Sequence, residues 1–179
     1  MKVLLLGIGN IMFSDEGVGV HLCRLIREKY RFSSSEHTLE IIDGGTLAQL
    51  LTPIIAEFDY AIICDCISAN DGNFGDVYFF DYESIPNHIS WQSSAHEVEM
   101  LQTLAMMDLV GDRPMTKIVG IIPQVVGGTT LELTEPIQKG AMIMEKTVIK
   151  HLEELGFLVE TINNNLTIQA IANHFGQEP

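Results

Sequence analysis

Residues 3–9 read V-L-L-L-G-I-G, an unbroken apolar run that stops at a glycine. A strand with one face in water alternates apolar and polar residues; this one has no wet face and must be covered on both sides. That requirement points to a parallel sheet between two layers of helices. The next residues agree with it. Val18, Leu22, Leu25 and Ile26 recur at i, i+4, i+7 and i+8 behind a candidate N-cap, Ser14, which predicts a helix over about 15–30. A strand is expected at 39–43 (L-E-I-I-D), halted by Gly44-Gly45. A helix over about 46–57 follows, with Leu47, Leu50, Leu51, Ile54 and Ile55 inward, and then a strand at 60–65 (Y-A-I-I-C-D), again apolar on both faces. This β-α-β-α-β alternation is the signature of an α/β fold with a parallel sheet.

The strand expected at 76–81 (D-V-Y-F-F-D) breaks the rhythm. Only about ten residues separate it from the strand at 60–65, and a parallel crossover needs a dozen or more, so it is predicted to be an antiparallel neighbour. Ser94 and Glu97 read as an S-x-x-E capping box that opens a helix over about 95–109, with Val98, Leu101, Ala105 and Leu109 as its apolar face. A buried strand at 117–122 and a helix over about 135–155 complete a three-layer α/β/α domain. Its sheet is mainly parallel, five-stranded and twisted, with one antiparallel strand. The 179 residues suit one domain, 1–179; the tail 157–179 holds Asn163-Asn164-Asn165 and a possible short helix at 166–174, and the pattern gives it no role.

Charge narrows the partners. Ten Lys plus Arg stand against 24 Asp plus Glu, a net charge of −14, so the surface repels nucleic-acid phosphates and anionic lipid. No apolar run approaches the roughly 20 residues that cross a bilayer, and the N-terminus does not read as a signal peptide. Three cysteines, Cys23, Cys64 and Cys66, form no paired framework, so a reduced, cytoplasmic protein is expected, and Cys64 and Cys66 are read as core.

In open α/β sheets, ligands gather beyond the carboxyl ends of the strands. Along that edge the pattern places Asp15 and Glu16 after the first strand, Asp43 at the end of the second, Asp65 at the end of the third, and His96 in the first turn of a descending helix. Each has a plainer explanation. A helix N-terminus favours Glu16, and Asp43 before two glycines is an ordinary turn residue. Asp65 is harder to explain away, because an uncompensated carboxylate after an apolar run costs several kcal/mol. A helix N-terminus keeps an imidazole neutral, the form that binds metal. Two carboxylates and one imidazole make a three-ligand site for a borderline divalent ion, with room for water or substrate. His21, His37, His88, His151 and His174 lack this placement and are expected at the surface.

Near misses exclude other chemistries. Gly7-Ile8-Gly9-Asn10-Ile11-Met12 lacks the third glycine of a dinucleotide loop, and two acids would face the pyrophosphate. H-E-V-E-M at 96–100 has Met100 where a zincin needs its second histidine. No G-x-S-x-G and no Walker loop occurs.

The blocks G-I-G-N-I-M-F-S-D-E-G-V-G-V at 7–20, I-I-D-G-G-T at 41–46, I-I-C-D-C-I at 62–67, S-S-A-H at 93–96 and V-G-I-I-P at 119–123 resemble, in order, the [NiFe]-hydrogenase maturation endopeptidases. The resemblance spans about 150 residues and implies a phosphorylase/hydrolase-like fold. It implies an endopeptidase that removes the C-terminal extension of the hydrogenase large-subunit precursor after nickel insertion, acting as a monomer. It puts the family's metal positions on Glu16, Asp65 and His96, with nickel presented by the precursor; zinc or cadmium would also suit these donors. Its substrate-handling block falls on Asp43, Gly44, Gly45 and Thr46. Glu97 stands where many members have Gln, and either residue can cap a helix. The metal would serve as a recognition element, or it would polarise the scissile carbonyl or activate water; alternatively Asp43 or Asp65 would act as general base in an aspartic-type hydrolysis. A non-enzymatic nickel-dependent binding module and a general metallopeptidase are the competing readings.

Overall fold

The computed structural model describes residues 1–46, 48–87, 89–90 and 95–174, with the backbone alone for Ser90 and residues 95–99. Its elements run β1 (Lys2–Ile8), a 3-10 turn (Ser14–Gly17), α1 (Val18–Lys29), β2 (Tyr30–Ser33), β3 (Thr38–Gly45), a second 3-10 turn (Ala48–Leu51) and α2 (Thr52–Ile55). There follow β4 (Tyr60–Cys66), β5 (Ser68–Ala69), β6 (Val77–Asp81), β7 (Ile89–Ser90), α3 (Ala95–Val110), β8 (Met115–Ile121), α4 (Glu135–Glu154), β9 (Leu158–Thr161) and α5 (Ile168–His174). Five strands form the central sheet in the order β3-β1-β4-β8-β6. β1 pairs in parallel with β3 and β4, and β4 with β8, while β6 runs antiparallel to β8. β6 is antiparallel as the short link before it required, but its neighbour is β8 and not β4, the sheet strand from which that link leads. No helix among the described residues is long and apolar enough to cross a membrane.

Alternation along the inner strands divides the interior in two. Val3 and Leu5 of β1, with Ile62 and Cys64 of β4, pack against Val18, Leu22 and Ile26 of α1 and Met144 and Val148 of α4. Leu4, Leu6 and Ile63 point the other way, against Ile55 of α2 and Met100, Leu104 and Met107 of α3. Cys23, Cys64 and Cys66 are free and buried, as core residues.

The first helix lies unusually close to the sheet, because glycines face one another. A Cβ on Gly19 of α1 would collide with the carbonyl oxygens of Cys64 and Ile8, and one on Gly7 of β1 with the Gly19 carbonyl. No side chain larger than hydrogen fits between these backbones.

Several expectations need correction. The segment after β3 is a 3-10 turn and one turn of α-helix; Leu51 and Ile55 are buried, but Leu50 and Ile54 are exposed. Ser14 does not cap α1: it has φ +50° and its hydroxyl donates to the Glu132 carbonyl at 2.6 Å. α3 turns a different face inward from the one the spacing suggested, since Met100, Thr103, Leu104 and Met107 are buried while Ala105 and Leu109 are exposed. His21 and His151 are buried, not superficial. In the tail the short helix expected at 166–174 is present as α5, packed on α1 and α4, and what the pattern did not show is β9, which pairs antiparallel with β2. Leu47, His88, Ser94 of the capping box, and the side chains of Glu97 and Val98 lie outside the described residues.

The Gly19 contact predicts a severe effect from one methyl group. Gly19→Ala should cost roughly 3 kcal/mol, because backbone and not a flexible side chain must yield. A melting temperature lower by about 10 °C is the expected reading for a chain of this size. A shift of a degree or two would show that the helix relaxes freely.

Candidate active site

The tight seating of α1 carries the 3-10 turn Ser14–Gly17 across the carboxyl end of the sheet. The turn packs against β4, and the Cys66 thiol donates to the Asp15 carbonyl at 3.3 Å. Glu16 and Asp65, the chain neighbours of that bonded pair, are thus brought to one edge from separate elements. Both are buried: 8% of Glu16 and 2% of Asp65 remain exposed. Asp65 Oδ1 accepts from the backbone N–H of Cys66 at 2.7 Å, which fixes the carboxylate against its own strand. On β4, Asp65 alternates with Cys64 and Cys66 and shares a face with Ile63, the face that α3 covers.

His96 is the second residue of α3. Residues 111–114 alone link that helix to the start of β8, so α3 descends the sheet and its first turn lies at the carboxyl edge. The side chain of His96 is outside the described residues. Among the described residues, no three His, Cys, Asp or Glu side chains are grouped to hold a metal ion. Glu16 and Asp65 offer oxygen donors at this edge, which suit a hard or borderline divalent cation.

Asp43 lies two residues before the end of β3, two strands away from β4, and is differently employed. Its Oδ2 accepts from Arg24 of α1, at 2.9 Å from Nη2 and 3.3 Å from Nε, and its Oδ1 accepts from the Gly45 N–H at 3.0 Å. Gly45 has φ +56°, which glycine adopts at no steric cost, and its carbonyl accepts from the Gly9 N–H at 2.9 Å. Asp43 therefore shapes the Gly44-Gly45-Thr46 turn and ties it to β1.

The residue whose importance the sequence pattern hid is Asp15. It is fully buried, yet its carboxylate accepts four hydrogen bonds. They come from the backbone N–H groups of Gln124 (3.0 Å), Val125 (2.9 Å) and Thr134 (2.8 Å), and from the Thr134 hydroxyl (2.9 Å). Residues 124–134 are thereby pinned beside Glu16 as a wall of the site. Phe13 and Thr130 form a β-bridge that joins the same loop to residues 10–14. Nothing local to positions 14–17 reveals a partner more than a hundred residues away; only the Asp-Glu doublet hints that one acid is needed for structure.

His21 is fully buried one turn into α1, its ring packed under Gly17. Burial, reinforced by the Arg24 charge and opposed by Asp43, lowers its pKa to about 4 from 6.5. The native state thus holds it neutral.

The sequence profile of the hydrogenase maturation proteases matches residues 20–151, a span that contains Asp65 and His96 and begins just after Glu16. Protein HydD of Wolinella succinogenes is 49% identical over 154 residues, covering 86% of this chain and 96% of the relative. The hydrogenase 2 maturation protease of Escherichia coli is 30% identical over 125 residues, covering 69% of this chain and 74% of that protein. The structure of the E. coli hydrogenase maturating endopeptidase HybD superposes with a TM-score of 0.79 at 25% identity, over 90% of this chain and 98% of that one.

Two predictions test the framework of the site. Asp15→Asn exchanges an acceptor-only group for one that also donates, and should cost about 3 kcal/mol. The amides of Gln124, Val125 and Thr134 should lose hydrogen-exchange protection together; retained protection would refute the pinning. His21 has the opposite signature to a salt-bridged histidine. Its folded pKa lies below its unfolded one, so its contribution is complete above pH 6.5 and declines as pH falls toward about 4. Between pH 7 and 4.5 the wild type should lose about 2–3 kcal/mol more stability than His21→Gln, measured by urea unfolding at both pH values.

Proposed function

Because the chain belongs to the hydrogenase maturation protease family, we propose that it removes the C-terminal extension of a [NiFe]-hydrogenase large-subunit precursor once nickel has been inserted. The observation that carries this reading is the pair of buried carboxylates, Glu16 and Asp65, held at one edge by separate elements that the Asp15–Cys66 contact joins. Glu16 and Asp65 put two oxygen donors at the edge where α3 begins with His96 as its second residue, a donor set that suits a divalent cation. In this reading the cation is the nickel of the precursor, which is cargo and not a resident cofactor. Glu16, Asp65 and His96 offer it three donors and leave its remaining positions to the precursor. An empty precursor lacks that link and binds less well, which is the differential affinity a checkpoint needs.

Hydrolysis also needs a base for the attacking water. Asp43 and Asp65 are the two carboxylates to consider. Both oxygens of Asp43 already accept, from Arg24 and from the Gly45 amide. One oxygen of Asp65 likewise accepts, from the Cys66 amide, so in this reading either carboxylate takes the proton from water, while Asp43 also holds Gly44, Gly45 and Thr46 against the substrate chain. As the peptide bond breaks, the proton passes to the departing amine, which leaves a free carboxyl terminus on the large subunit.

The test is incubation of the purified protein with nickel-loaded and nickel-free precursor, followed by the mass of the large subunit. Only the loaded form should lose its extension. Equal cleavage of both would remove the checkpoint, and binding without cleavage would make the protein an assembly factor instead of a protease. Asp65→Asn and His96→Ala should each reduce processing by roughly a hundredfold or more, with melting temperatures near wild type. A variant that processes normally would remove its residue from the site.

A further inference from the structure

α3 has two apolar faces, and the core uses one. Met100, Leu104 and Met107 are buried against the sheet and Ile55. About half a turn around the helix runs a second stripe through Leu101, Ala105 and Leu109, with Met106 and Val110 beside it. Leu109 is 87% exposed, Val110 70% and Met106 63%. The Ala48–Leu51 turn, which lies against α3, adds Leu50, 70% exposed, and α2, which follows that turn, adds Ile54. By contrast, α1 covers the opposite face of the sheet and buries all its large apolar side chains. Soluble chains leave large apolar side chains grouped in water chiefly where another surface covers them.

The position of this face indicates what covers it. α3 starts one residue before His96, and the Ala48–Leu51 turn starts two residues after Thr46. Both elements leave the candidate site and descend the same face of the sheet, packed together. A folded partner that lays a segment across the carboxyl edge is within reach of both. The sequence of α3 contains Glu97, Glu99 and Asp108 but no Lys or Arg. Arg113 already holds Asp108 at 3.0 Å, which leaves the acidic bias at the end nearest the site.

We propose that the outward face of α3, together with Leu50 and Ile54, is the docking surface for the folded body of the large-subunit precursor, which meets it with an apolar patch of its own, rimmed by cations toward the active edge. This rests on the substrate assigned above and adds where that substrate is held. Docking here fixes the precursor at a distance from the scissile bond, so its loss weakens capture and spares the chemical step.

The experiment compares wild type with Leu109→Glu, Met106→Glu and the milder Leu109→Gln. Each is assayed for steady-state processing of nickel-loaded precursor, for direct binding to it, and for melting temperature. The two charged variants should raise KM and Kd roughly tenfold or more. Their kcat should stay within about twofold and their melting temperatures should not move, with Leu109→Gln intermediate. Unchanged KM and Kd in both charged variants overturn the proposal while leaving the protease reading intact. A wild type that is dimeric at micromolar concentration, and that Leu109→Glu converts to monomer, overturns it in favour of a self-interface. If wild type binds precursor but never cleaves it, and Leu109→Glu weakens that binding, the docking surface stands and the protease reading falls.

Discussion

The contact of bare backbone with bare backbone, where Gly19 of α1 lies against Ile8 and Cys64 and Gly7 lies against Gly19, sets the geometry of everything at the carboxyl edge. It lowers the first helix onto the sheet by about the thickness of a side chain. The chain leaving β1 must then turn within a few residues, and it does so as a 3-10 turn that buries Ser14, Asp15, Glu16 and Gly17. A thicker contact would raise this turn away from β4, and Glu16 would no longer neighbour the Asp65 strand end. Gly9, whose added Cβ would strike the Glu16 carbonyl, serves the same closeness. The glycines of the 7–20 block are therefore spacing devices, each defined by what it keeps out.

Upon that seat, four carboxylates that look alike in sequence have been given different environments. Asp15 is surrounded by donors and spends all its capacity on the wall at 124–134. Asp43 is shared between a guanidinium and a turn amide. Glu16 and Asp65 remain at the edge, buried and close through their neighbours. This division follows from what each backbone position faces: a loop rich in N–H groups, a cation on the adjoining helix, or the open end of the sheet.

The main strands and their directions were legible because continuous apolar runs, short links and helical spacing are local signals. The antiparallel β6 is the clearest case, since link length alone decided it. α3 was misread for an equally physical reason: it is apolar on two sides, and periodicity cannot tell which stripe the core takes. Leu109 belongs to a regular stripe and still lies in water. The burial of His21 and the anchoring by Asp15 were invisible, because each depends on partners brought near by the fold. β2 and β9 were missed because four-residue strands with alternating burial carry almost no sequence signal. The pattern put Asp43 and Asp65 near the carboxyl ends of their strands and Glu16 in the turn after the first, whereas the bond of Asp43 to Arg24 depends on a helix that only the fold brings beside it.

The reach of Asp15 also bears on how the protein is made. Its carboxylate is closed by Thr134, 119 positions further along the chain. Until α4 has begun to form, the turn holding Glu16 has no wall to rest on, and closing so long a loop is entropically expensive. The first two thirds of the nascent chain can build β1, α1 and β4 while Glu16 and Asp65 still lack their final enclosure. The cutting edge is thus completed late in the protein's own folding, and a partly made chain emerging from the ribosome carries an unfinished blade.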